Sequence, residues 1–348
     1  MARIAVDAMG GDFAPRAPIA GALHALAAQP LQHDIELVGR TAAIEAELEA
    51  QLTGELSGFA EHRGRLHIIE APDVIEMTDS PRVALRGKTN SSMVVGLRRV
   101  ADGHAHGFVS AGNTGAQMAA SLAVLKMQAG LDRPAIGTIF PTAGQPIIVL
   151  DSGANVDCSP QELLQFARIG DCYARDLLGR EHPAIGLLSI GEEAEKGNAV
   201  VKEANKLLAR SGLNFLGNVE GRDLPRGRCD RGQIDVVVCD GFVGNVLLKF
   251  YESIGPMIFG MVSRALDIDT RTLTEQLSEL DSDEYGGAPL LGVGGVSIIS
   301  HGSSSPRALK NAIGVAIRAV ESGMVSDIGE SLARSLPQIH SDPTGNAA

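Results

Sequence analysis

Tryptophan is absent, and aromatic residues make up only 3% of the 348. Proteins that grip single-stranded nucleic acid stack bases on aromatic platforms, and this chain has few to offer. Positive charge is also in deficit. Thirty Lys and Arg stand against 42 Asp and Glu, a formal net charge of -12 with a pI near 5.2. No broad field for DNA or RNA phosphates is expected from that balance, and no nucleic-acid partner. A small anion asks for much less, because backbone N–H groups and one or two local cations suffice. Cysteines number four, Cys158, Cys172, Cys229 and Cys239. They form no C-x-x-C pair and fit no zinc spacing, so they read as free buried thiols in a reducing cytosol. Long hydrophobic runs are missing too. The longest near any helical stretch, IGPMIFGMV at 254–262, falls short of the ~20 residues of a membrane span. The N-terminal apolar IAV is cut off by Asp7, unlike a signal peptide. A cytoplasmic location is the expectation, with any membrane contact made at the surface.

Hydrophobic residues make up 44% and charged residues 21%, with mean hydropathy +0.08. This is a globular composition. Glycine is abundant, 41 residues, without the G-X-Y period of collagen. Short β-branched runs at 3–8, 34–39, 66–71, 107–111, 136–141, 146–152, 184–190 and 234–240 predict strands. Several are apolar nearly throughout, as strands covered on both faces are. Helical spacing appears at 16–28, 41–51, 91–101, 113–128, 160–179, 195–211 and 305–322. The alternation predicts a doubly wound α/β fold. A TIM barrel competes, but the uneven spacing and the long helical stretch at 242–282 fit eight equal units poorly. A single domain over 1–336 is expected, with a flexible tail at 337–348.

Ligands of open α/β sheets bind beyond the carboxyl ends of the strands. Polar and glycine-rich segments gather there: DAMGGD (7–12), SAGNTGA (110–116), LDSGAN (150–155), IGEEAEKG (190–197), GNVEGR (217–222), DGFVGN (240–245) and HGSSS (301–305). Any one of them has a plainer use as a tight turn with a helix cap. Together they describe a cleft of backbone donors and short polar side chains, suited to phosphate and a polarised carbonyl. No P-loop, no G-x-G-x-x-G after the first strand and no G-x-S-x-G elbow is present. His104 and His106 precede a strand and read as solvated loop residues. His301, among Gly and Ser, is the better functional candidate.

The ordered set IAVDAMGGDFAP (4–15), SAGNTGA, LDSGAN, IGEEAEKG, GNVEGRD, CDGFVGNVLLK (239–249) and YGGAPLLGV (285–293) resembles the bacterial phosphate acyltransferases, acyl-ACP:phosphate transacylases of phospholipid synthesis. Two positions depart from the family pattern: Ser189 stands where Asn is usual, and no Lys shortly precedes His301. The resemblance implies a three-layer α/β/α sandwich of the phosphotransacetylase and isocitrate dehydrogenase-like type, usually as a homodimer. It implies transfer of a fatty acyl group from acyl carrier protein to inorganic phosphate, with no cofactor and no metal. The acyl phosphate product then serves a membrane glycerol-3-phosphate acyltransferase. Phosphate attacks a thioester readily and a thiol leaves readily, so the chemistry rests on alignment, worth ~7–11 kcal/mol, and on oxyanion donors, worth ~3–4 kcal/mol each. Neither a Ser-His-Asp nor a Cys-His signature is required.

Gly112, Asn113, Thr114 and Gly115 are the candidates for binding phosphate at a helix N-terminus. Lys88 and Lys196 are candidate cations. Asp240, Asn245 and His301 are candidate catalytic groups. Asp7, Gly10, Gly11, Asp151, Asn155 and Asn218 are candidates for holding substrate. Each Lys also reads as a solvated charge and each Asp as a cap. Apolar residues at helical spacing over 245–266 suit a dimer interface or core helix, interrupted at Gly255-Pro256 and Gly260. A sharper reading is a helical hairpin whose tip, Met257, Ile258, Phe259 and Met261, touches a bilayer reversibly, in line with the family's peripheral membrane association. Docking of an acidic carrier protein calls for a local basic patch, at Arg82, Arg86, Lys88, Arg98 and Arg99 or at Arg222, Arg226, Arg228 and Arg231. A phosphotransacetylase acting on acyl-CoA, a metal-dependent decarboxylating dehydrogenase and a non-catalytic scaffold are the alternatives.

Overall fold

The computed structural model describes residues 1–28, 33–266 and 284–339. The chain alternates strand and helix from the start: β1 (Arg3–Asp7), α1 (Arg16–Ala28), β2 (Asp34–Gly39), α2 (Thr41–Thr53), β3 (Leu66–Glu70), α3 (Pro81–Gly87), α4 (Ser92–Ala101), β4 (Gly107–Ser110) and α5 (Thr114–Val124). The middle holds β5 (Ala135–Ile136), β6 (Thr138–Phe140), β7 (Ile147–Leu150), α6 (Pro160–Leu178), β8 (Ile185–Leu188), α7 (Ala199–Ala209) and β9 (Phe215–Val219). Next come β10 (Arg228–Cys229), β11 (Gly232–Gln233), β12 (Val236–Val238) and α8 (Gly241–Leu266). The described chain closes with β13 (Ala288–Leu291), β14 (Val296–Ile299), α9 (Pro306–Glu321) and α10 (Met324–Ile339).

Two larger sheets result. One has seven strands in the order β3-β2-β1-β4-β14-β13-β5, the other five in the order β6-β7-β12-β8-β9. Pairing is parallel except at β13 with its two neighbours and at β6 with β7. The apolar strands do face helices on both sides. Along β1, Ile4 and Val6 join one core with Ile19 and Leu23 of α1, while Ala5 joins another with Met93 and Leu97 of α4. In the second sheet Ile148 and Leu150 pack into the core that holds Phe166 of α6, and Val149 into the one beside Leu247 and Leu248 of α8.

The run at 136–141 is not one strand. It breaks at Gly137, and its halves lie at the edges of different sheets. A Cβ on Gly137 would press on Ile148 of one sheet and Leu291 of the other, so glycine lets the chain pass between them. A second difference concerns α8, which runs unbroken through Gly255, Pro256 and Gly260. Proline interferes most with the preceding turn of a helix, yet here the helix continues. The rest of the anticipated hairpin, 267–282, lies outside the described residues, as does 340–348 of the anticipated tail.

Candidate active site at the strand ends

Three loops converge at the carboxyl end of the first sheet. Asp7 ends β1 and is buried; its Oδ1 accepts from the Met9 N–H at 3.1 Å and its Oδ2 from the Ser110 hydroxyl at 2.7 Å. Ser110 Oγ in turn accepts from the Gly112 N–H at 3.0 Å. Burial pushes the Asp7 carboxyl above its ordinary range, against the pull of hydrogen bonds from Ser92, Ser110, Met9 and Gly10. Gly10 is confined by this arrangement: a Cβ there would lie 2.6 Å from Asp7 Oδ2 and 2.9 Å from Gly112 N. Gly11 turns with φ 97°. The Asp12 N–H then donates to Gly302 O at 2.8 Å, tying the first loop to the turn after β14. The Ser300 N–H donates to Ser110 O at 2.8 Å, tying that turn to β4.

Asn113 caps α5, its Oδ1 accepting from the Ala116 N–H at 2.9 Å. Its amide Nδ2 donates to Met77 O at 2.8 Å and Asp79 O at 3.1 Å. The Asn113 side chain is therefore spent on holding the β3–α3 loop, and the Gly112 N–H is spent on Ser110. The N–H groups of Thr114 and Gly115, in the first turn of α5, are left for an anion, because a first turn has no intrahelical partners to give them. The Lys88 ammonium reaches Asp79 Oδ2 at 2.6 Å. Lys88 and a Glu76 N–H hold the Asp79 carboxyl below its ordinary value. A cation thus stands beside the N-terminus of α5, with Asp79 in contact with both. His301 is exposed; its Nδ1 faces Ser303 Oγ at 2.8 Å and the Ser303 N–H at 3.3 Å. A backbone N–H aimed at Nδ1 makes that atom an acceptor, so the neutral ring carries its proton on Nε2.

The other candidates collect at the carboxyl end of the second sheet. Asp151 is fully buried. Its Oδ1 accepts from the N–H groups of Ile136, Gly153 and Ala154 at 2.9–3.2 Å, and its Oδ2 from the Asn155 N–H at 2.7 Å and Nδ2 at 2.9 Å. Burial raises its carboxyl against those donors. Asn155 also donates to Pro134 O at 2.7 Å. These two side chains brace the loop on which α8 begins: the Gly241 N–H donates to Asn155 O at 2.8 Å. Asp240 caps α8 through the Val243 N–H at 2.8 Å. Asn218 is buried, accepting from Asn205 at 2.9 Å and donating to Glu193 O at 2.7 Å. Asp151, Asn218 and the Asn155 amide nitrogen therefore spend their hydrogen bonds within the protein. Asn245, just past the first turn of α8 and beside Gly153, and Lys196, beside Gly191, are exposed and open to a ligand.

Sequence reasoning missed Asp79, Ser92, Ser110 and Met77. Asp79 carried a readable signal, an Asp just before the Ser-Pro that opens α3. The others are ordinary residues whose part emerges only when three distant loops meet. The cysteines are all free and buried. Burial lifts Cys158 to about 12 and Cys239 well above its ordinary range, so neither supplies a thiolate nucleophile.

The family model described as "Fatty acid synthesis protein" matches residues 2–327. A phosphate acyltransferase of Pelotomaculum thermopropionicum is 47% identical over 340 residues, 95% of each chain. One of Desulforamulus reducens is 47% identical over 341 residues, 95% of this chain and 98% of that one. The chain belongs to this family. As a phosphate acyltransferase family member it is an acyltransferase, and its α/β architecture agrees. The EutD phosphotransacetylase of Staphylococcus aureus superposes with TM-score 0.59 at 16% identity, over 92% of this chain and 94% of that one. A phosphotransacetylase of Streptococcus pyogenes does so with the same TM-score at 17% identity, over the same shares. At such identities the likeness concerns the fold.

Proposed function

We propose that the protein transfers a fatty acyl group from acyl carrier protein to inorganic phosphate, yielding an acyl phosphate for phosphatidic acid synthesis. The observation that carries this reading is the pairing of Lys88 with the N-terminus of α5 around Asp79. It offers an anion a cation and oriented N–H groups in one place. Phosphate held by Lys88, Thr114 and Gly115 attacks the thioester carbon. An oxygen–carbon bond forms, the carbon–sulfur bond breaks, and the proton of hydrogen phosphate ends on the departing thiol. His301, on the turn that Gly302 ties to the first loop, is the group offered as donor to the developing oxyanion or the sulfur. Asn245 and Lys196 are further donors to the carbonyl. The raised thiols of Cys158 and Cys239 support direct attack without an acyl-enzyme.

The partners are acyl carrier protein, a second copy of the chain and, at the inner face of the cell membrane, the glycerol-3-phosphate acyltransferase that receives the product. The test is incubation with palmitoyl-acyl carrier protein and ³²P-phosphate. Labelled acyl phosphate is expected, and Lys88→Met should lower kcat/KM for phosphate by about 10²-fold or more. A parallel arm with acetyl-CoA separates the phosphotransacetylase reading. Product from acetyl-CoA alone would refute the carrier-protein assignment.

A further inference from the structure

Among the described residues, the large apolar side chains left exposed are distributed unevenly. Apart from Met1 and a set on α8, they are Phe13, Met77, Val156 and Ile190. Each of these four lies in a segment leaving the carboxyl end of a strand: β1, β3, β7 and β8 respectively. Isolated exposed apolar residues are ordinary and fall anywhere on a surface. Here they fall on the face that carries the site.

Two of them flank one turn. Met77 gives its carbonyl to Asn113 Nδ2 at 2.8 Å, and its Cε lies 2.8 Å from where a Cβ on Gly302 would project. Phe13 follows Asp12, whose N–H donates to Gly302 O at 2.8 Å. Met77 is 45% exposed and Phe13 57%. Met77 is tied to α5 through its own carbonyl and Phe13 to the Gly302 turn through its neighbour Asp12, while both side chains remain wet. Asp79, two residues beyond Met77, holds Lys88 at 2.6 Å.

We propose that Met77 and Phe13 form the wall along which the acyl chain of the thioester lies, and that they set its length preference. The inference rests on the acyl-transfer reading and extends it to a substrate subsite. In-line attack brings the thioester carbonyl within about 3–3.5 Å of the phosphate oxygen. The first methylenes then leave the carbonyl close to the His301–Gly302 turn, beside which Met77 and Phe13 are exposed large apolar side chains among the described residues. Methionine suits such a role, because its unbranched chain adapts to an alkyl tail. Each methylene covered is worth about fourfold in kcat/KM.

The experiment compares butyryl- and palmitoyl-acyl carrier protein as donors at saturating phosphate, for the wild type, Met77→Ser, Phe13→Ser and Met77→Leu. The ratio of kcat/KM for palmitoyl over butyryl donor should drop at least about tenfold in both Ser variants. Met77→Leu should restore it, and KM for phosphate should move less than about twofold. An unchanged ratio, or an equal fall for both donors, overturns the proposal. If the wild type makes no acyl phosphate from either donor, the acyl-transfer reading itself fails, and the subsite falls with it.

Discussion

At the scale of single residues, the most constrained side chain of the site is one that need not touch substrate. Asp7 orders the Ser110 hydroxyl, and that hydroxyl receives the Gly112 N–H that leads into α5. Asp7→Asn keeps the shape but reverses one contact. Whichever way the amide turns, its nitrogen meets a donor: facing Ser110 it leaves the hydroxyl proton without this acceptor, and facing Met9 it opposes that N–H. The entry to α5 should loosen, and turnover should fall by about 10²-fold, the scale of an ångström of misplacement. Stability should move the other way. Because the folded carboxyl is raised above its ordinary 3.8, the unfolded chain releases this proton first as pH climbs. Wild-type stability is therefore drained between 3.8 and the folded value, and above it the loss is constant. Asp7→Asn carries no such loss. Thermal melts should show the variant at least as stable as wild type at pH 7, with its advantage shrinking as pH falls toward 4. A variant equally destabilised at both pH values would contradict this account.

Among elements, the legibility of the sequence followed packing. Strands such as β1, β4 and β7 were readable because both faces meet helices, which makes their residues apolar throughout. β9 was not in the anticipated set. It carries Gly217 at φ 95° and the buried Asn218, and its pairing with β8 shifts register between Ile185 and Gly186. The β13–β14 hairpin was hidden by the glycines between its strands. At the candidate site, the glycines around the start of α5 and Lys88 could be singled out from local chemistry, but that the Gly112 N–H is spent on Ser110, and the bracing by Asp151 and Asn155, depended on the loop geometry around them. The helix α8 shows the same limit. Its composition and length match those of a membrane span, and only 11% of its most apolar stretch is buried. Of the four residues anticipated at its apolar tip, Phe259 is buried, Ile258 is half-buried, and Met257 and Met261 are exposed. The reversible bilayer contact expected from the family resemblance would fall to the two methionines. Met257→Asp with Met261→Asp should abolish flotation with anionic liposomes while leaving acyl phosphate formation in solution intact. Equal flotation of variant and wild type would remove the contact.

For the whole molecule, α8 poses a question that one chain does not answer. Phe242, Val246 and Phe250 are exposed at intervals of four, and Met257 and Met261 continue the line. Side chains spaced by three or four share one helix face, so the molecule presents a single apolar stripe along a 26-residue helix. A stripe of that length in water calls for cover. The opposite face of α8 already lies on its own sheet through Leu247, Leu248 and Tyr251, with Tyr251 donating to Pro141 O at 2.6 Å. The cover expected for its first half, Phe242 to Phe250, is α8 of a second copy, since an isologous contact buries both patches at once. Sedimentation equilibrium should give twice the chain mass for the wild type. Phe250→Glu places a charge near the middle of each stripe, and two-fold symmetry brings the two charges close together. The variant should sediment as a monomer with unchanged circular dichroism, because position 250 is exposed and makes no demand on the monomer core. Persistence of the dimer in Phe250→Glu would place the contact elsewhere.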